Sequence, residues 1–206
     1  DDARARGELP AFALFLDADM APQPGLLGGM VAALVRARAH ALSGVPRLLL
    51  RTTTEALFLP TMVALLTGGV RTSRVHAAGN ADAFLNGQVL LLDTAALDRV
   101  GGWASVAGTV LEDVALARRM KAAGMTLRLG DLRALVATRM YASYREMARG
   151  FGKNATALLG RSAGLLGVAA LALSLLPWLA RGLACWWAAG GGDRWSVLLV
   201  AVLFVA

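Results

Sequence analysis

Between Ala163 and Leu183 the chain is apolar almost without a break, interrupted by Pro177 and, near the far end, Arg181. No other feature limits the fold so strongly. A run of this length reaches the roughly 20 helical residues that cross a bilayer. Pro is tolerated in such helices, and an Arg near one end can snorkel to the interface. The loop AAGGGDR follows, then a second apolar run, WSVLLVAVLFVA, that stops at Ala206. The hydrophobic fraction of 57% and the mean hydropathy of +0.57 are both high for a soluble domain, and most of the excess sits after Ala155. Residues 163–206 are therefore predicted to form transmembrane helices, the second one truncated. A start at Asp1-Asp2 without Met and a stop inside an apolar run give the expectation of a fragment at both ends.

Charge narrows the partners. The 21 Lys and Arg exceed the 14 Asp and Glu, for a formal net charge of +7. In a membrane protein such an excess points to the cytoplasmic face and anionic headgroups, and it also suits a phosphate-bearing small substrate. Nucleic acid is excluded as a partner, because no basic stripe interleaved with aromatics is present. The single Cys185 allows no internal disulfide, fits a reducing compartment and reads as a small apolar residue.

Ahead of Ala155 the pattern is α/β. The run Pro10 to Leu16 reads as a short apolar strand, Gly25 to Leu42 as a helix, and Val45 to Thr52 as a second strand. Leu57 to Leu66 is apolar nearly all round yet too short to span, which predicts a buried or interfacial helix. A strand over Gln88 to Leu92 and a short helix over Thr94 to Val100, closed by Gly101-Gly102, come next. Glu112 to Ala123 is an amphipathic helix ended by Gly124, and Thr126 to Leu129 a further strand. Tyr144 to Leu159 carries Arg145, Arg149 and Lys153 and reads as a basic amphipathic helix.

Three constellations can carry chemistry. Asp17 and Asp19 close an apolar strand at the sheet edge where α/β proteins keep their ligands; such a pair is either a solvated turn or a holder for a hard divalent cation and its diphosphate. Glu112-Asp113 opens a helix, where carboxylates are favoured by the dipole, or serves an acceptor hydroxyl as general base. Asn86-Gly87-Gln88 leads into a strand, and Gly101-Gly102-Trp103 follows. These read as glycine turns with a packed Trp, or as a loop whose backbone approaches a substrate closely.

The order and spacing of FLDAD, NGQVLLLDTAALDRVGGW and LEDVALARRMKAAGMTLRLG resemble the family 2 glycosyltransferases, from Pro10 to about Asn154. The resemblance implies the C-terminal part of a Rossmann-like GT-A catalytic domain over residues 1–143. A basic interfacial helix over 144–162 and the membrane segment 163–206 follow it. It implies that Asp17 and Asp19 bind a divalent cation (Mg2+ or Mn2+) and the donor diphosphate, and that Asp113, with Glu112 beside it, is the catalytic base. Asn86, Gly87, Gln88 and Trp103 fall at the acceptor site.

The chain departs from the family's processive polysaccharide synthases, which carry Gln-x-x-Arg-Trp where this sequence reads ALVATRMYASYREMARGFGKN. Arg139 remains as a phosphate contact. Arg-Met-Tyr followed by Gly-Phe-x-Lys-Asn looks like the branch that glycosylates membrane lipids such as carotenoids or hopanoids. Tyr141 and its aromatic and basic neighbours read as interfacial anchors, while Met20 reads as packing, and His40 and His76 receive no role. The expected activity is hexose transfer from a nucleotide-diphosphate sugar to a lipid-like acceptor, with inversion, at a bacterial inner membrane and on its cytoplasmic side. A processive synthase or a non-enzymatic membrane protein is the alternative.

Overall fold

The computed structural model describes residues 10–67, 70–77, 79–109, 111–141, 143, 145–147, 149–150, 178–179, 181–183 and 186. The chain divides into two compact units, residues 1–50 with 68–142 and residues 51–67 with 143–206.

The first unit is built on two small mixed sheets. Strands β1 (Phe12–Leu16), β3 (Ala41–Val45), β5 (Val89–Asp93) and β6 (Leu127–Asp131) form one sheet in the order β1-β5-β3-β6. The central strand β5 runs antiparallel to both neighbours, Leu14 facing Leu91 and Leu42 facing Leu91 from the other side. Strands β3 and β6 are parallel. Both neighbours and both faces of β5 are covered, which is why VLLLD is apolar without alternation: Val89, Leu90, Leu91 and Leu92 are all inaccessible to solvent. Each contributes about 1.5–3 kcal/mol by leaving water.

Alternate residues of β5 feed two cores. Leu90 and Leu92 pack with Leu116, Ala117 and Met120 of helix α5 (Glu112–Ala122) and with Leu97 of helix α4 (Thr94–Arg99). Val89 and Leu91 pack with Leu26, Met30 and Leu34 of helix α1 (Leu26–Arg36). The sheet is thus a middle layer between helices. A second sheet, in the order β2-β7-β4, joins β2 (Met20–Pro22), β7 (Val136–Thr138) and β4 (Arg47–Leu48). Met20 packs on the α1 core, as expected of it.

Several boundaries differ from expectation. Helix α1 stops at Arg36 rather than Leu42, because Arg38 turns left-handed (φ 46°). The N–H groups of Ala39 and Arg38 then close back on the carbonyls of Leu34 and Val35. Ala41 and Leu42, alanine-rich helix formers by neighbourhood, belong to β3 because its sheet partners override propensity. The strand expected over Val45 to Thr52 is accordingly earlier and split into β3 and β4. The polar stretch after Arg71 holds a short helix, α3 (Thr72–His76), with Val75 buried. Strand β7 and the whole second sheet were not anticipated.

In the second unit, helix α2 (Thr53–Thr67) contains the apolar run expected to be helical and carries Pro60 within it. The Thr52 hydroxyl accepts the Glu55 N–H at 3.2 Å, and the buried Glu55 carboxylate accepts the Arg51 N–H at 2.6 Å, so this helix start is satisfied from both sides. Among the described residues no helix is long and apolar enough to cross a membrane. Most of the expected basic helix 144–162 and of the spans 163–206, Cys185 included, lies outside the described residues. Those that are described at 145–147, 149–150, 178–179, 181–183 and 186 are helical.

Candidate active site

The carboxylates converge at one edge of the first sheet. β1 ends at Leu16, and the turn that follows is anchored by the Asp17 N–H, which donates to the Gln88 carbonyl at 3.1 Å. This continues the β1–β5 ladder by one bond past its last pair, Leu16 with Val89. Asp17 therefore sits beside the Asn86–Gln88 turn because both strands end together. The Met20 N–H closes the turn on the Asp17 carbonyl at 3.1 Å, which places Asp19 between β1 and β2.

Helix α5 approaches the same turn from the other side. The Gly87 N–H donates to Asp113 Oδ2 at 2.8 Å, and the Val114 N–H donates to Oδ1 at 2.8 Å. A Cβ on Gly87 would stand 3.1 Å from Asp113 Oδ2 and 3.2 Å from its Cβ, so glycine admits the carboxylate to this distance. Each carboxylate oxygen has two lone pairs, and one N–H on each leaves acceptor capacity while orienting the group. Glu112, the preceding residue, is exposed.

Asp17 feels the other two aspartates. The Asp17 carboxyl is held above its ordinary value of 3.8, chiefly by desolvation, then by the negative charges of Asp19 and Asp113. The residue as a whole is exposed, so the effect belongs to a carboxyl partly shielded on one side. Tyr141 is half-buried, and its phenol is pushed up from 10.0 by burial and by Asp19. Tyr141 is therefore within electrostatic reach of Asp19. The Thr138 hydroxyl at the end of β7 donates to Asp19 Oδ2 at 2.9 Å. Neither Thr138 nor Tyr141 was named as a site residue; a threonine in an apolar strand carries no local signal of a partner so far along the chain.

Asn86 ties this turn to β3. Its N–H donates to the buried Ser43 hydroxyl at 2.9 Å and its amide to the Gly44 carbonyl at 2.8 Å. The side chain pins the turn to β3. Gln88 contributes its carbonyl to Asp17. Trp103 lies in a 3-10 turn (Trp103–Val106) and packs edge-on against Phe15 of β1, ring centroids 5.3 Å apart at 71°. Its indole Nε1 is buried and has no hydrogen-bond partner among the described residues. Arg139 follows β7 directly and is half-buried.

The donor set suits a hard divalent cation. Asp17 and Asp19 offer oxygen only, and the repulsion already evident at Asp17 is relieved by a positive charge. Among the described residues there is no group of three or more His, Cys, Asp or Glu able to hold an ion. A cation with two protein carboxylates takes its remaining ligands from phosphate and water, as magnesium commonly does.

Residues 3–129 match the family model described as glycosyltransferase-like family 2. Its mixed α/β sheet with a carboxylate turn at the strand ends is GT-A-like. The chain belongs to glycosyltransferase family 2. Among solved structures it is similar to mannosyltransferase PcManGT from Pyrobaculum calidifontis in complex with GDP-Man and Mn2+, at 18% identity and a TM-score of 0.49. That match covers 98% of this chain, which spans 56% of the mannosyltransferase's length. No curated protein matches the sequence.

Proposed function

We propose that the protein transfers a hexose from a nucleotide-diphosphate sugar to a hydroxyl of a lipid-like or polyprenoid acceptor, in a single inverting displacement. The observation that carries the chemistry is the meeting of Asp17, Asp19 and Asp113 across the Asn86–Gln88 turn. Asp17 and Asp19 would hold Mg2+ or Mn2+, which when bound neutralises the leaving diphosphate. Asp113 accepts the proton of the acceptor hydroxyl as that oxygen attacks the anomeric carbon, and the bond to the diphosphate breaks on the opposite face. The Gly87 and Val114 N–H groups hold the carboxylate in place for this transfer. Adjacent helix residues point about 100° apart, so Glu112, exposed beside it, does not share the role. The half-buried Trp103 borders the acceptor, and Arg139 contacts a phosphate.

Support for a lipid-like acceptor is sequence-borne: the apolar run Ala163 to Leu183, the basic residues before it, and a segment after Arg139 that lacks the Trp of processive synthases. Exposed Trp178, Leu179 and Trp186 in the described part of that region agree with contact to a bilayer.

The test is kinetic and uses the full-length protein. Asp113→Asn is expected to lower transfer by about 10²–10⁴, the usual range for a lost general base. Donor and Mn2+ binding should stay near wild type. Asp19→Ala should lose both turnover and Mn2+ binding. Ordinary turnover by Asp113→Asn would move the base elsewhere, and metal-dependent turnover by Asp19→Ala would remove the cation from this turn.

A further inference from the structure

We propose that Thr138 is a positioning residue for the carboxylate pair: its hydroxyl holds Asp19 Oδ2 and thereby sets the carboxylate's orientation toward the cation. The inference rests on the reading of Asp17 and Asp19 as the residues that hold that cation.

The two partners differ in mobility. Asp19 stands in an exposed turn, where an aspartate rotates freely about both side-chain bonds. Thr138 is 1% exposed and is locked on both sides by backbone. It pairs with Met20 across β2 and β7, and its carbonyl accepts the Leu49 N–H at 2.8 Å. Its β-branch restricts the remaining side-chain rotation. A hydroxyl so fixed is a rigid reference point, and its 2.9 Å bond transfers that rigidity to a carboxylate 119 residues earlier in the chain.

The other two buried polar side chains among the described residues each accept a backbone N–H. Ser43 receives the Asn86 N–H, and Glu55 receives the Arg51 N–H. Thr138 alone of the three spends its hydroxyl on a site carboxylate. The whole second sheet gains a purpose on this view. Strand β7 lies between β2 and β4, and its last residue reaches the turn that leads into β2. A hydroxyl donor is also the right chemistry: it fixes one oxygen while leaving the negative charge for a cation, which an Arg or Lys at this position would neutralise.

The experiment measures Mn2+ binding by the full-length protein, with free Mn2+ followed by electron paramagnetic resonance and no substrate present. Thr138→Val keeps the shape and removes the donor; it should bind Mn2+ about tenfold more weakly, the size of one hydrogen bond to a charged group. Its thermal midpoint should stay near wild type. Thr138→Ser restores the hydroxyl and should bind nearly as wild type does. Should Thr138→Val melt early, Thr138→Ala carries the same comparison against Thr138→Ser. Wild-type affinity in the variant lacking the hydroxyl, or equal weakness in the serine variant, overturns the inference. Asp19→Asn separates the two ideas. If Asp19→Asn abolishes binding while Thr138→Val preserves it, only the role of Thr138 falls. If Asp19→Asn binds as wild type, or wild type does not bind, the cation reading fails and takes the inference with it.

Discussion

Asp17 concentrates the conflict between stability and chemistry at this site. Its carboxyl is partly desolvated and faces Asp19 and Asp113, so the folded chain prefers it protonated more than the unfolded chain does. Linkage then fixes the sign. The penalty is fully present above the raised folded value, fades as pH falls through it, and is absent below the unfolded value near 3.8. Asp17→Asn should therefore raise the thermal midpoint at pH 7 without divalent ions, by about 1–2 °C given how exposed the residue is. The gain should disappear in scans toward pH 4, and the variant should lose metal-dependent transfer. An unchanged or lowered midpoint at pH 7 would show that the three carboxylates do not repel as drawn. Gly87 tells the complementary story: its missing side chain brings a backbone N–H to 2.8 Å from Asp113, a placement that any Cβ would crowd.

At the scale of elements, β6 is an edge strand whose outer Leu129 N–H is taken by the His76 Nε2 at 2.9 Å. On the inner side, where β3 begins, the His40 Nδ1 accepts the Thr126 N–H at 3.1 Å. Arg128 returns a bond from its guanidinium to the His76 carbonyl at 2.6 Å, tying α3 to β6. A Leu129 N–H engaged in this way is not offered to the edge of another chain. Both histidines, left without a role from sequence, are thus structural acceptors. Burial and the neighbouring Arg128 charge hold His76 below its ordinary 6.5. A depressed folded value means stability that is present above about pH 6.5 and lost as pH falls through the folded value. His76→Phe should cost about 1–2 kcal/mol at pH 7.5 by leaving a strand N–H without its acceptor. It should also remove the acid-induced loss expected of wild type as pH falls below about 6.5 in denaturant titrations. Parallel curves for the two proteins over that range would exclude His76 as the source.

For the whole molecule, the membrane reading is the part to be tested by topology. On that reading the basic residues Arg145, Arg149 and Lys153 ahead of the apolar run would put the catalytic unit on the cytoplasmic side. Ser143 is exposed and lies just before that stretch. A cysteine introduced by Ser143→Cys in a Cys185→Ser background should resist impermeant thiol reagents in intact cells and react after lysis. Ready labelling before lysis would reverse the orientation.

What the sequence by itself determined is local or strongly periodic. The apolar strand ending in Asp17-Ala18-Asp19, the buried run VLLLD, the Gly101-Gly102 stop and the helix beginning at Glu112 were all legible. Each is written in contiguous residues whose burial or turn chemistry is nearly independent of partners. The spacing of those pieces also carried the family. Only the tertiary structure decided what depends on pairing between distant segments. Ala41 and Leu42 joined a strand because β5 and β6 flank them. Asn86 was tied to β3 through Ser43 and Gly44, and Thr138 met Asp19 through a three-stranded sheet whose strands are too short to announce themselves. A strand of two or three residues has no periodicity to read, and a hydrogen bond between residues 119 apart in sequence leaves no trace until the chain brings them together.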